Sequence, residues 1–96
     1  MNDRFDYDLA KSHANLKKHD IDFEEAKKLW ESTHVIIPVK NVMDENRFAI
    51  LGKLRSKVYM GIYTERGSKT RLISCHRVDK KWENLYYEYL KKDKGK

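Results

Sequence analysis

The chain has 96 residues, with 21 Lys and Arg against 15 Asp and Glu, one cysteine and a formal net charge of +6. This length suits one compact domain, and the lone Cys75 excludes both an internal disulfide and a cysteine-based zinc site. No apolar run is long enough to span a membrane, so a single cytoplasmic domain covering residues 1–96 is expected, its positive charge directed at an anionic partner.

In chain order, Phe5-Asp6-Tyr7-Asp8 opens a helical pattern in which Asp6 can cap and Asp8 falls in the first turn. Leu9, His13 and Leu16 recur at i, i+4 and i+7 as its apolar stripe, and Lys17, Lys18 and His19 close it where the helix dipole favours cations. Asp22-Phe23-Glu24-Glu25 then reads as a capping box, followed by Ala26, Leu29 and Trp30 as the apolar face of a second short helix. The run from His34 to Val39 is the first strand candidate, and Pro38, which has no N–H to donate, places it at an edge or a bulge. A polar connection from Asn41 to Asn46 leads to a second strand from Arg47 to Lys53. After a turn at Lys53 to Arg55, a third strand runs from Lys57 to Thr64. Glu65 to Lys69 is a hairpin loop in which Gly67 supplies the positive φ, and Thr70 to Cys75 is the fourth strand. Asp79 caps a last helix with Trp82, Leu85, Tyr86, Tyr89 and Leu90 on one face, and the basic tail 91–96 is expected to fray. The order α-α-β-β-β-β-α predicts an α+β domain: a four-stranded, mostly antiparallel sheet with helices covering one face.

Charge is not spread evenly along this order. Residues 1–34 carry six cations and eight acids, and residues 35–96 carry fifteen and seven. From Arg66 to Lys81 there are six cations and one acid, so the hairpin is expected to present an electropositive surface to an anionic polymer. The four histidines and the acids show no metal-ligand spacing, so neither a metal nor another cofactor is expected.

Several stretches resemble one family. Phe5-x-Tyr7-Asp8-x-x-Lys11-x-x-x-Asn15-x-x-Lys18-His19-x-Ile21-x-Phe23-x-x-Ala26, Arg47-x-x-x-Leu51-Gly52, Thr64-x-Arg66 and Arg71-Leu72-Ile73-Ser74 resemble the BrnT family of type II toxins. The resemblance implies a RelE-like fold, RNA cleavage that inhibits translation, and neutralisation by a ribbon-helix-helix antitoxin through which alone operator DNA is bound. This chain departs from the family pattern in three places. Tyr7 stands where Trp is usual, Asp20 where Gly is usual, and Cys75-His76-Arg77-Val78 where an Ala-Arg-Arg-Ala-like stretch is usual. Asp tolerates the left-handed conformation that Gly would adopt at position 20. His76 replaces a fixed charge with a titratable one.

Metal-free RNA cleavage needs a base for the 2′-hydroxyl, cations for the charge growing on phosphate, and a proton for the leaving oxygen. Arg71 and Arg77, six apart, share a sheet face if no bulge intervenes and are the expected phosphate clamps; the forked guanidinium suits that task. The candidates for proton transfer are His76, which alternation puts on the opposite face, His19, which can equally cap its helix, Glu65, which can equally orient an arginine, and Tyr86, which also belongs to the apolar stripe. Arg66, Lys69, Lys18, Lys80, Lys81 and Tyr86 are the expected RNA contacts. His13 and His34 read as structural, and Cys75 as a buried small hydrophobe. The rival readings on the same fold are a non-catalytic RNA-binding domain and a domain that only docks an antitoxin.

Overall fold

The computed structural model describes residues 4–42 and 45–94. In order these form β1 (Phe5–Asp6), α1 (Leu9–His19), α2 (Phe23–Ala26) running into a 3-10 turn (Lys27–Trp30), β2 (His34–Val42), β3 (Glu45–Leu54), β4 (Lys57–Arg66), β5 (Lys69–Arg77) and α3 (Lys80–Lys94). The α+β class holds, and the four long strands stand where the apolar runs put them. The centre of the expected polar connection, residues 43–44, lies outside the described residues, as do residues 95–96 of the tail. Residues 91–94, where fraying was expected, continue α3.

The sheet has five strands in the order β1-β5-β4-β3-β2 and is mixed, not four-stranded. The additional strand is β1, whose Phe5 and Asp6 pair in parallel with Thr70 and Arg71. Those two residues read as a helix start because Asp6 is a good cap, yet the cap is Asp8, whose carboxylate accepts from the Ala10 and Lys11 N–H groups. The Asp6 carboxylate instead accepts from Arg71 Nη1 at 2.8 Å. Asp22 and Asp79 do cap, accepting from the Glu25 and Trp82 N–H groups. Asp20 takes φ 60° and ψ 29°, the left-handed conformation expected of it. The β3–β4 and β4–β5 turns are each two residues long. Arg55 and Ser56 have φ of 52° and 65°, the type I′ pattern, and Gly67 has φ 61° beside Ser68.

Alternation along β3 and β4 gives two apolar faces, and each is covered. Ile50, Leu54, Tyr59, Tyr63, Leu72 and Cys75 pack beneath Ile21, Phe23, Ala26 and Leu29. The fit is close at β3: a Cβ on Gly52 would stand 3.0 Å from both Leu29 Cδ2 and Ser32 Oγ, so any larger residue there would push those side chains aside. On the reverse face Ala49, Leu51, Val58 and Met60 pack with Tyr86, flanked by Trp82 and Leu90. Helices therefore lie on both faces rather than one, because a sheet apolar on both sides needs cover on both.

Candidate functional site

The arrangement of charged groups follows from one irregularity. Pairing between β4 and β5 jumps from Ile62 with Ser74 to Tyr63 with Leu72, which leaves Ile73 as an extra residue. A bulge inverts the alternation beyond it. Arg71, opposite Thr64, and His76, opposite Met60, therefore share the α3 face, whereas Arg77, opposite Tyr59, is on the other. The expected Arg71 and Arg77 clamp does not form: the two are on opposite faces and roughly 20 Å apart along the strand.

Arg71 has other company. Arg47, Thr64, Arg71 and Asp6 lie in register across β3, β4, β5 and β1, forming one row on the α3 face. With strands about 4.8 Å apart, Arg47 and Arg71 are separated by about 10 Å, with the short Thr64 between them. Thr64 is turned to the backbone, donating to the Asn46 carbonyl at 2.6 Å. At the end of β4, Arg66 Nε donates to Glu45 Oε2 at 2.7 Å. That bond, with the fields of Arg66, Arg47 and Arg71, holds the Glu45 carboxyl below its ordinary range. Arg66 thus bonds Glu45 directly, while Arg47 and Arg71, the latter bonded to Asp6, lie near enough to add their fields. Arg47 is half-buried, and its Nε is buried with no hydrogen-bond partner among the described residues. A buried donor left unpaired costs about 1–3 kcal/mol, and more when charged, so this atom favours an incoming anion.

Arg47 was not among the residues that sequence reasoning assigned to the site. The available signal was a cation at the head of the apolar run Phe48-Ala49-Ile50-Leu51. Its register opposite Thr64, and through it Arg71, is tertiary information.

The other candidates disperse. Lys69 is exposed at the hairpin, paired in register with Arg66, and so belongs to the arginine end. Glu65 is opposite Thr70 on the α1 and α2 face and accepts from the Thr70 hydroxyl at 3.1 Å, away from Arg71. The Tyr86 ring is 2% exposed and its hydroxyl donates to the Thr33 carbonyl at 2.8 Å, so it packs and is not open to a base. Cys75 is buried, its thiol pushed up to about 12 by burial. His76 and His19 come together at the far end of β5, ring centroids 5.7 Å apart, with exposed Lys18, Arg77, Lys80 and Lys81 also at the termini of these elements. Burial, and then the neighbouring His19, hold His76 below its ordinary value, against the opposing field of Asp79. The basic residues that follow one another in sequence thus form two clusters, one at each end of β5.

A hollow of about 320 Å³ lies along the free edge of β2, lined by His34, Val35, Ile36, Ile37, Pro38 and Tyr89. Its lining contains no lysine or arginine. The arginine row is therefore the better match to an anionic ligand.

Residues 7–81 match the family described as "Ribonuclease toxin, BrnT, of type II toxin-antitoxin system". Comparison with curated proteins gives no match. The match spans most of the chain, which belongs to the BrnT family of type II toxin-antitoxin ribonuclease toxins.

Proposed function

We propose that this BrnT-family chain is a metal-independent endoribonuclease whose phosphate-binding groups are Arg47, Arg66 and Arg71. The observation that carries the reading is the buried Arg47 Nε, which has no acceptor among the described residues, in register through Thr64 with Arg71 and near the Arg66–Glu45 pair. A scissile phosphate entering this row takes over the hydrogen-bonding capacity of Arg47 and competes with Glu45 for Arg66. The guanidiniums then neutralise the charge that grows on the phosphate in the transition state, the task a divalent cation performs in other nucleases. Glu45, ionised at neutral pH and released from Arg66, would accept the 2′-hydroxyl proton as the 2′-oxygen bonds to phosphorus, and the 5′-oxygen would leave as the P–O5′ bond breaks, taking a proton from water. The two carboxylates at the row, Asp6 and Glu45, are each paired with an arginine, a donor set poorly suited to a hard cation.

The family implies RNA as substrate and an antitoxin as partner. We take the antitoxin to be of the ribbon-helix-helix type, with operator DNA reached only through it, on the strength of the sequence resemblance.

The test is cleavage of a long RNA in EDTA by the purified, partner-free protein, run beside Arg47→Ala, Arg71→Ala and Lys57→Ala. Each arginine variant is expected to lose on the order of a hundredfold in rate, as the loss of one preorganised donor can cause, while Lys57→Ala cuts as the parent does. Equal cutting by all four would mean contaminating nuclease. Binding without any cutting would identify a non-catalytic RNA-binding domain.

A further inference from the structure

A second feature is built from motif residues of α1 and β5 that the arginine row does not use. Beyond the two residues of β1, the outer edge of β5 has no strand partner among the described residues, and α1 takes its place. The contact is made by Asn15, whose Nδ2 donates to the Cys75 carbonyl at 2.8 Å and whose Oδ1 accepts from the Cys75 N–H at 3.2 Å. Its side-chain amide thus pairs with Cys75 as a neighbouring strand would. A further bond from Asn15 Nδ2 to the Ile21 carbonyl at 2.7 Å fixes the amide in place.

This anchoring leaves a hollow of about 210 Å³ between α1 and the bulged part of β5, lined by Lys11, Asn15, Lys18, His19, Ile73 and Ser74. Lys11 and Lys18 stand four residues before and three after Asn15, hence on the same helix face, about 10 Å apart along the axis. α1 follows a strand parallel to β5, so Lys11 lies towards Arg71 and Lys18 towards His76. Among the described residues neither lysine is ion-paired, and no carboxylate lines the hollow. The half-buried Ser74 hydroxyl has no hydrogen-bond partner among the described residues.

We propose that this hollow is a second phosphate subsite, holding the single-stranded RNA backbone next to the phosphate bound at the arginines. The proposal rests on the ribonuclease reading of Arg47, Arg66 and Arg71. A lining with two lysines, a serine and a histidine and no Tyr, Phe or Trp suits a phosphate, which needs charge and donors, rather than a base, which needs a stacking ring. Ser74 is three residues from Arg71, about 10 Å along the strand, so one strand of RNA can reach both places. The bulge turns Arg71 to the α3 face, and its residue Ile73 lines the hollow with Ser74.

The test measures binding of a fluorescent 2′-O-methyl single strand, which lacks the nucleophilic hydroxyl, across a series of salt concentrations. The parent is compared with Lys11→Gln/Lys18→Gln and with Lys17→Gln/Lys57→Gln, a pair of exposed lysines outside the hollow. Removing two phosphate contacts from a single-strand complex is expected to flatten the log-log salt slope by about 1.4, with weaker binding, while the control pair keeps the parental slope. An unchanged slope in the first pair, or an equal change in both, overturns the subsite and leaves the ribonuclease reading standing. Failure of the parent itself to bind overturns both. If the hollow pair retains RNA binding but loses its antitoxin, the hollow is a protein-docking site instead.

Discussion

α1 and α3 read alike in the sequence, each with an apolar stripe at helical spacing, yet the fold uses them in opposite ways. In α3 the stripe does what its pattern says at Trp82, Tyr86 and Leu90, which pack on the sheet, while Leu85 and Tyr89 stay 38% and 40% exposed. In α1 the stripe is turned outward. Leu9 and Leu16 are 64% and 43% exposed, and the buried residues are Ser12 and Asn15. The difference lies in what each helix meets. α3 crosses a sheet face, where side chains are apolar and area removed from water decides the packing. α1 lies along a strand edge, where unpaired backbone groups need hydrogen-bond partners, and a helix of purely apolar inward residues would leave them unsatisfied. Ser12, also inward, accepts from the Phe23 N–H at the start of α2 at 2.9 Å.

The sharpest way to break this comparison is Asn15→Leu, which makes the inward face of α1 apolar like that of α3. Three hydrogen bonds vanish and the Cys75 N–H is left buried without a partner, so the expected loss is about 3–5 kcal/mol in a urea melt. A loss below about 1 kcal/mol would mean that apolar contact alone holds α1. On α3, Tyr86→Phe removes the bond to Thr33 but keeps the ring in place. About 1 kcal/mol is expected from the same melt, and a much larger value would assign α3 to hydrogen bonding as well. Replacing the outward stripe, Leu9→Gln with Leu16→Gln, should change stability by no more than about 0.5 kcal/mol per site. A larger loss would return the stripe to the core.

A pH titration probes the seam between α1 and β5 from another side. His76 is held below its ordinary value of 6.5 in the folded chain. As pH falls through that value the unfolded chain takes up the proton first, so stability declines with falling pH until the lower folded value is reached. The expected result is a melting temperature that drops between about pH 7 and 5 and a shallower drop in His76→Gln. An identical profile in the variant would remove His76 from the account.

Much of the fold was legible because it rests on short-range rules. Strand runs with alternating or continuous apolar residues, the aspartate caps at Asp22 and Asp79, the positive φ at Gly67 and the left-handed Asp20 each depend on a few neighbouring residues. β1 was not legible: a two-residue strand has no periodicity, and its pairing with Thr70 and Arg71 spans most of the chain. The candidate site was legible in part. Arg66 and Arg71 were named from the sequence, but Arg77 was set beside Arg71 on the assumption of unbroken alternation, which the bulge at Ile73 invalidates.

The sequence by itself therefore determined the chemistry available to this protein: its arginines, its excess of positive charge towards the C-terminus, its one buried thiol, and the motifs that place it in its family. Tertiary structure decided which of those groups meet. Register across three strands brings Arg47 to the far side of Thr64 from Arg71, one extra residue separates Arg71 from Arg77, and a strand edge turns α1 so that Asn15 faces inward and Leu16 outward. The reason is that side-chain direction in a sheet alternates with every residue and register is fixed between strands distant in sequence. A single insertion changes which groups share a face while leaving the local pattern of the chain almost unaltered.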